Sequence, residues 1–129
     1  KLVSEVVKKF GGSAKVVPIP VPNAAVAALS VSGLNADKFL FLGYPPHKKG
    51  RKKFFEEISK SQYPVVFYES VHRILKTLKE LEKIVSERKV VVCRELTKKF
   101  ETIYRGTIEE IIPKIEKEKL GEFVVIVSR

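Results

Sequence analysis

No methionine occurs anywhere in the 129 residues, cysteine occurs once and histidine twice. Each scarcity closes a line of interpretation. Cys93 has no second cysteine to pair with, which excludes an internal disulfide, and its place inside the run Val90-Val91-Val92-Cys93 predicts a buried thiol rather than a reactive one. His47 and His72 give no ligand spacing for a metal cluster, so no metal is expected. No apolar run approaches the roughly 20 residues of a bilayer-spanning helix, and no membrane partner is expected. With no secretory or transit segment in view, the sequence predicts a reducing, cytoplasmic setting. G-x-G-x-x-G, P-loop and Ser-His-Asp patterns are missing as well, which removes the usual pointers to dinucleotide binding, nucleotide hydrolysis and serine hydrolases.

The lack of methionine also leaves no initiator. Leu2, Val3, Val6, Val7 and Phe10 recur at helical spacing up to Gly11-Gly12, yet nothing at Lys1 caps the helix they predict. The chain therefore reads as the back part of a longer protein, stopping at Arg129 just after an apolar run. Its length suits one ordinary domain with a core of its own.

Acidic residues are outnumbered, 15 against 25 Lys and Arg, for a net charge of +10. The excess gathers in His47-Lys48-Lys49-Gly50-Arg51-Lys52-Lys53, behind the turn Gly43-Tyr44-Pro45-Pro46, with Lys98-Lys99 as a second basic pair. Clusters of this kind dock on phosphate backbones by releasing counterions, and a merely solvated loop has the same composition.

The stretch 16–29 organises the rest. It opens as an apolar run that reads as a buried strand, turns through Pro20 and Pro22, and restarts as a small-residue helix with Asn23 at its cap. Proline fixes φ and biases its predecessor toward extended geometry, so the corner is stiff. Two readings stay open: a helix N-terminus presenting free N–H groups to a polar ligand edge, or a shaped strand-to-helix connection and nothing more.

Strand and helix then alternate. Residues 38–43 read as a strand, 51–60 as a helix presenting Phe54, Phe55 and Ile58, and 64–68 as a further strand. Ser70 is expected to cap a helix whose stripe is Val71, Ile74, Leu75, Leu78, Leu81 and Val85. Residues 89–96 and 100–104 predict an antiparallel hairpin across Thr97-Lys98-Lys99. Thr107 with Glu110 predicts a capping box, Pro113 a short or kinked helix behind it, and 122–127 a central strand. The expected fold class is α/β, a mixed β-sheet flanked by helices.

Candidate chemistry lies at strand ends, where open α/β sheets place ligands. Glu69, His72, Glu95 and Glu101 are the titratable groups there, and Glu69, Glu95 and Glu101 are the catalytic candidates, with no choice among them. Arg73 is suited to a bidentate grip on phosphate, and Glu69 with Arg73 equally to an ordinary ion pair.

Several motifs recur together: V-V-P-I-P-V-P-N-A-A-V-A-A-L-S-V-S-G-L, F-L-F-L-G-Y-P-P, K-K-G-R-K, V-F-Y-E-S-V-H-R, C-R-E-L-T-K, E-T-I-Y-R-G-T and G-E-F-V-V-I-V. In this order and spacing they resemble the C-terminal part of the ribosomal RNA small-subunit methyltransferase I family, within the tetrapyrrole methylase superfamily. The resemblance implies the C-terminal domain of the tetrapyrrole methylase fold over 15–129, with 1–14 the last helix of a truncated N-terminal domain. It implies an enzyme that transfers a methyl group from S-adenosylmethionine to a ribose 2′-hydroxyl of a cytidine in 16S rRNA of the small ribosomal subunit, working as a homodimer.

Carried over position by position, cofactor contacts fall on Pro20, Val21, Pro22, Asn23, Ala24, Tyr68, Glu69 and Leu96. RNA contacts fall on Lys48, Lys49, Arg51, Lys52, Lys53, Arg73, Arg94 and Lys98. Where the family loop reads P-G-P-S-A, this chain has Val21 and Asn23, and Val71 replaces the proline of Y-E-S-P-H-R. A β-branched residue in place of a glycine that allows positive φ predicts a strained or reshaped loop. The competing readings are a methylase acting on a tetrapyrrole or other small molecule, and a non-enzymatic basic RNA-binding domain.

Overall fold

Strand β5 (Glu122–Val127) forms the axis of the fold, paired antiparallel with β2 (Val65–Ser70) on one side and β3 (Val90–Arg94) on the other. In the computed structural model, which describes residues 2–85, 87–118 and 120–129, the sheet has five strands in the order β1-β2-β5-β3-β4. The short β1 (Leu40–Phe41) runs parallel to β2, and β4 (Thr102–Gly106) antiparallel to β3. Every side chain of β5 after Glu122 is buried, as a central strand covered on both faces requires.

Strand alternation sends Val65, Phe67, Val90, Val92, Phe123, Val125 and Val127 to one face. There they meet the apolar stripes of α3 (Arg51–Lys60), α4 (Ile74–Val85) and α5 (Ile108–Ile115). The opposite face carries Val66, Val91, Cys93, Val124 and Ile126 and is covered by α2 (Ala24–Ser32) through Ala25 and Ala28. Alanines let α2 lie close on the sheet, which brings its first turn down to the end of β2. Helix α1 (Leu2–Phe10) and the 3₁₀ turn Gly11–Ser13 bury nothing.

Several expectations are corrected. The run from Val16 makes no strand: Val16, Val17, Ile19 and Val21 are exposed and unpaired. Pro18, Pro20 and Pro22 alternate, so one whole edge of such a strand has no N–H to donate. Within 38–43 only two residues form a strand, although Leu40 and Leu42 N–H groups donate to the Pro64 and Val66 carbonyls. Ser70 caps no helix, because it pairs with Glu122 in the ladder and the chain must turn through 71–73 before α4 begins at Ile74. The hairpin loop runs over 95–101, longer than Thr97-Lys98-Lys99, since it folds back through Lys98 N–H to the Glu95 carbonyl and Glu101 N–H to the Lys98 carbonyl. Thr107 and Glu110 form the capping box, and α5 ends two residues after Pro113.

Candidate functional site

Beyond the end of β1, where β2 runs on past Val66 beside the first turn of α2, a cleft of about 300 Å³ opens. Its α2 side is Pro22 and Ala24; its strand side is Tyr44, Tyr68 and the start of β5; Glu95, Leu96 and Lys98 close it from the hairpin loop. The volume is at the small end of ligand pockets, about 300–1,000 Å³. A depression of about 500 Å³ beside Lys38 and Tyr63 lies at the other end of the sheet, away from the parallel strand ends.

The helix start is fixed by two acceptors. Asn23 Oδ1 accepts from the Ala25 and Val26 N–H groups at 2.9 and 3.1 Å, and the Tyr68 hydroxyl accepts from Ala25 N–H at 3.2 Å. Tyr68 packs edge-on against Phe41 and Tyr44, with ring centroids 5.0 and 5.5 Å away. The cleft therefore has an aromatic wall, half-buried, opposite small and apolar residues.

The hairpin loop is held in an unusual backbone. Glu95 and Thr97 have φ of +50° and +63°, the positive-φ residues other than glycine in the described chain. Glu95 Oε1 accepts from Glu122 N–H at 2.9 Å and from Lys98 Nζ at 3.2 Å, and Lys98 Nζ also reaches Glu122 Oε2 at 3.0 Å. Glu101 Oε2 accepts from Thr97 N–H at 2.7 Å. The Glu122 N–H and the Lys98 ammonium hold the Glu95 carboxyl below its ordinary range, and the same carboxylates raise Lys98. Backbone strain kept in place by so many bonds is characteristic of binding loops.

Glu69 faces the other way. Its neighbour Tyr68 points into the cleft, so alternation along β2 sends Glu69 to the three-helix face, where it is buried. Oε1 pairs with Arg73 at 2.9 Å and accepts from Ser70 N–H at 2.8 Å; Oε2 accepts from the Thr77 hydroxyl at 2.8 Å. Both oxygens are engaged on that side of the sheet, and Glu69, expected as a cofactor contact and catalytic candidate, does not line the cleft.

Pro22, Ala24, Tyr68 and Leu96 come together at the cleft, with Glu95 and Lys98 on its rim. Pro20 and Val21 lead into it along an exposed segment, and the Asn23 side chain is spent on the cap. Val21 has no positive φ, so the strain expected from a β-branched residue there is absent. Lys48, Lys49, Lys52 and Lys53 lie exposed along one segment, and His72 is exposed in the turn after β2.

Three arginines expected at RNA are turned inward. Arg51 binds Glu80 at 2.7 Å, Arg73 binds Glu69, and Arg94 binds Glu118 at 3.1 Å and the Leu120 and Phe100 carbonyls at 2.8 and 3.2 Å. Tyr44 and the start of β5 join the site without having been expected there. A tyrosine between a strand end and Pro45-Pro46 is the sequence signal for the first; the second depends on long-range register.

The model of the tetrapyrrole (corrin/porphyrin) methylases matches residues 1–112. Ribosomal RNA small subunit methyltransferase I of Bacillus subtilis is 42% identical over 97% of this chain and 44% of its own length. The Vibrio cholerae protein of the same name is 47% identical over 88% of this chain and 41% of its length. The chain thus spans less than half of these relatives. Among solved structures, the methyltransferase CobJ superimposes with a TM-score of 0.67 at 16% identity, covering 98% of this chain and 57% of that one. Uroporphyrin-III C-methyl transferase from Thermus thermophilus, complexed with S-adenyl homocysteine, gives 0.53 at 15% identity, covering 82% and 50%. At these identities the likeness shows the fold.

Proposed function

The chain belongs to the tetrapyrrole (corrin/porphyrin) methylases, and from that premise we propose that it is the C-terminal domain of an S-adenosylmethionine-dependent enzyme that methylates the ribose 2′-hydroxyl of a cytidine in 16S rRNA. The observation that carries the reading is 42% identity over 97% of the chain to a relative named for rRNA methylation. The tetrapyrrole alternative has likeness of fold at 15–16% identity and no use for the four exposed lysines of the segment 48–53. The non-enzymatic alternative rests on Val21 and Asn23, but Asn23 caps α2 fully and Val21 is unstrained.

The cleft suits an adenosine-sized group: two tyrosine rings, Pro22, Ala24 and Leu96 give apolar walls, and Glu95 and Lys98 offer polar edges. S-adenosylmethionine, when bound, supplies an already electrophilic methyl group, so this chain's residues have chiefly to orient and desolvate. Glu95, held below its ordinary range, is a weak base and serves better as a hydrogen-bond acceptor. Glu101 braces Thr97 from the same loop. Lys48, Lys49, Lys52 and Lys53 are the RNA contacts.

The test is transfer of labelled methyl to small ribosomal subunits lacking the modification. The longer protein is expected to methylate them, and this chain alone is not, because it furnishes one wall of the site. Activity from this chain alone overturns the two-domain reading; inactivity of a folded longer protein favours the non-enzymatic one.

A further inference from the structure

Behind the cleft runs a chain of charges that the methyl transfer does not use. Arg73 Nη1 donates to the Pro45 carbonyl at 3.0 Å while Nη2 holds Glu69 at 2.9 Å. Glu69 Oε2 accepts from the Thr77 hydroxyl, which in turn accepts from Arg51 Nη2 at 2.9 Å, and Arg51 Nη1 donates to the Pro46 carbonyl at 3.1 Å. One buried carboxylate thus holds Arg73 directly and reaches through Thr77 to Arg51, whose Nε is also held by Glu80, and each guanidinium takes one carbonyl of the same dipeptide.

That dipeptide is hard to fix by other means. Neither proline has an N–H to donate, and the segment leaves β1 through Gly43 at φ +67°. Its other tether to the sheet is the Tyr68 N–H bond to the Gly43 carbonyl at 2.8 Å. Tyr44 lies between the two anchor points, and its ring forms part of the cleft wall against Tyr68. A buried ion pair gives little net stability compared with well-packed apolar residues, so geometry is what this arrangement yields.

We propose that Glu69 is a positioning residue: through Arg73 and, by way of Thr77, Arg51, it fixes the Pro45 and Pro46 carbonyls and so sets Tyr44 in the cleft wall. The consequence for ligand affinity rests on the cleft being the cofactor site; the placement of Tyr44 does not.

The experiment has two arms on the same variants. With the four tyrosines replaced by 3-fluorotyrosine, each fluorine resonance is assigned by single Phe substitution. Arg73→Lys, which keeps a positive charge on Glu69 but loses the fork, and Glu69→Gln are expected to move the Tyr44 resonance, and that of Tyr68 with it. Tyr63 and Tyr104 stay in place and report that the fold is intact. An unmoved Tyr44 resonance in a folded variant overturns the proposal, and Arg73→Lys decides it if Glu69→Gln does not fold.

The second arm is calorimetric binding of S-adenosylhomocysteine by the longer protein. Arg73→Lys and Tyr44→Ala are each expected to weaken binding about tenfold, and the double variant to be no weaker than Tyr44→Ala within about twofold, because both act through the same ring. Additive losses, about a hundredfold together, overturn the positioning role. If the unaltered protein does not bind the probe, the cofactor reading of the cleft fails, while the Tyr44 resonance still decides the placement.

Discussion

Cys93 shows how burial turns a single side chain into a pH-sensitive element of stability. Desolvation within the α2 face pushes its thiol from 9.0 to about 11, against the partly compensating pull of Arg105 and with a further push from Glu101. A folded-state value above the unfolded one means that the native chain keeps the proton longer. The contribution is complete below pH 9 and is lost as pH rises toward 11. Between those limits the protein is expected to lose up to about 1.4 kcal/mol per pH unit relative to Cys93→Ala. Urea titrations of the two proteins at pH 8 and 10.5 check this, and parallel pH profiles overturn it. Removing the Glu69 carboxylate strands the partly buried Arg73: Glu69→Ala is expected to cost about 3–5 kcal/mol in the same measurement.

Part of this was legible in the sequence. Tyr68 and Glu69 are neighbours on a strand, and a period of two forbids both from facing one cleft. The pairing of Arg73 with Glu69 was legible as a local ion pair, whereas the inward turn of Arg51 and Arg94 was not, because their partners Glu80 and Glu118 are set by helix packing and loop closure rather than by local spacing.

Among the elements, the clearest sequence signal was the capping box of α5, and it is expected to answer to substitution. Thr107→Ala should destabilise by about 1 kcal/mol. Gly106→Ala should do more than that: φ there is +150°, and a Cβ would run into Glu110 Oε2, the carboxylate that reaches back to Thr107 N–H. Thermal unfolding of both variants tests the order. In the hairpin loop, Thr97→Gly relieves a β-branched residue at φ +63° and is expected to stabilise the fold by about 1 kcal/mol while loosening the cleft rim. Lower stability in Thr97→Gly would show that the Thr97 hydroxyl bond to the Leu96 carbonyl outweighs the strain. The stretch before α2 misled because hydropathy cannot see that its prolines fall on one edge.

Over the whole molecule two surfaces stand out. Leu2, Val3, Val7 and Phe10 of α1 are 75%, 57%, 55% and 48% exposed, an apolar face without cover in the described structure. Self-association is expected as concentration rises, and Val7→Lys should weaken it; a concentration-independent monomer in sedimentation overturns the expectation. Neutralising Lys48, Lys49, Lys52 and Lys53 should weaken binding to an rRNA fragment and flatten its salt dependence by about 0.7–0.9 for each phosphate that no longer meets a lysine. S-adenosylhomocysteine binding is expected to stay unchanged.

The central place of β5 governs how the chain emerges during translation. Strands β1 and β2 are made early, and β3 with β4 form a ladder of their own, yet no strand pairing joins the two until Glu122–Val127 arrives between them. At about 5–20 residues per second, β2 waits about 3–10 s for its partner with one edge unpaired. A nascent chain halted before Glu122 is expected to leave the edges of β2 and β3 that face β5 open, the stage at which pairing with another chain is easiest.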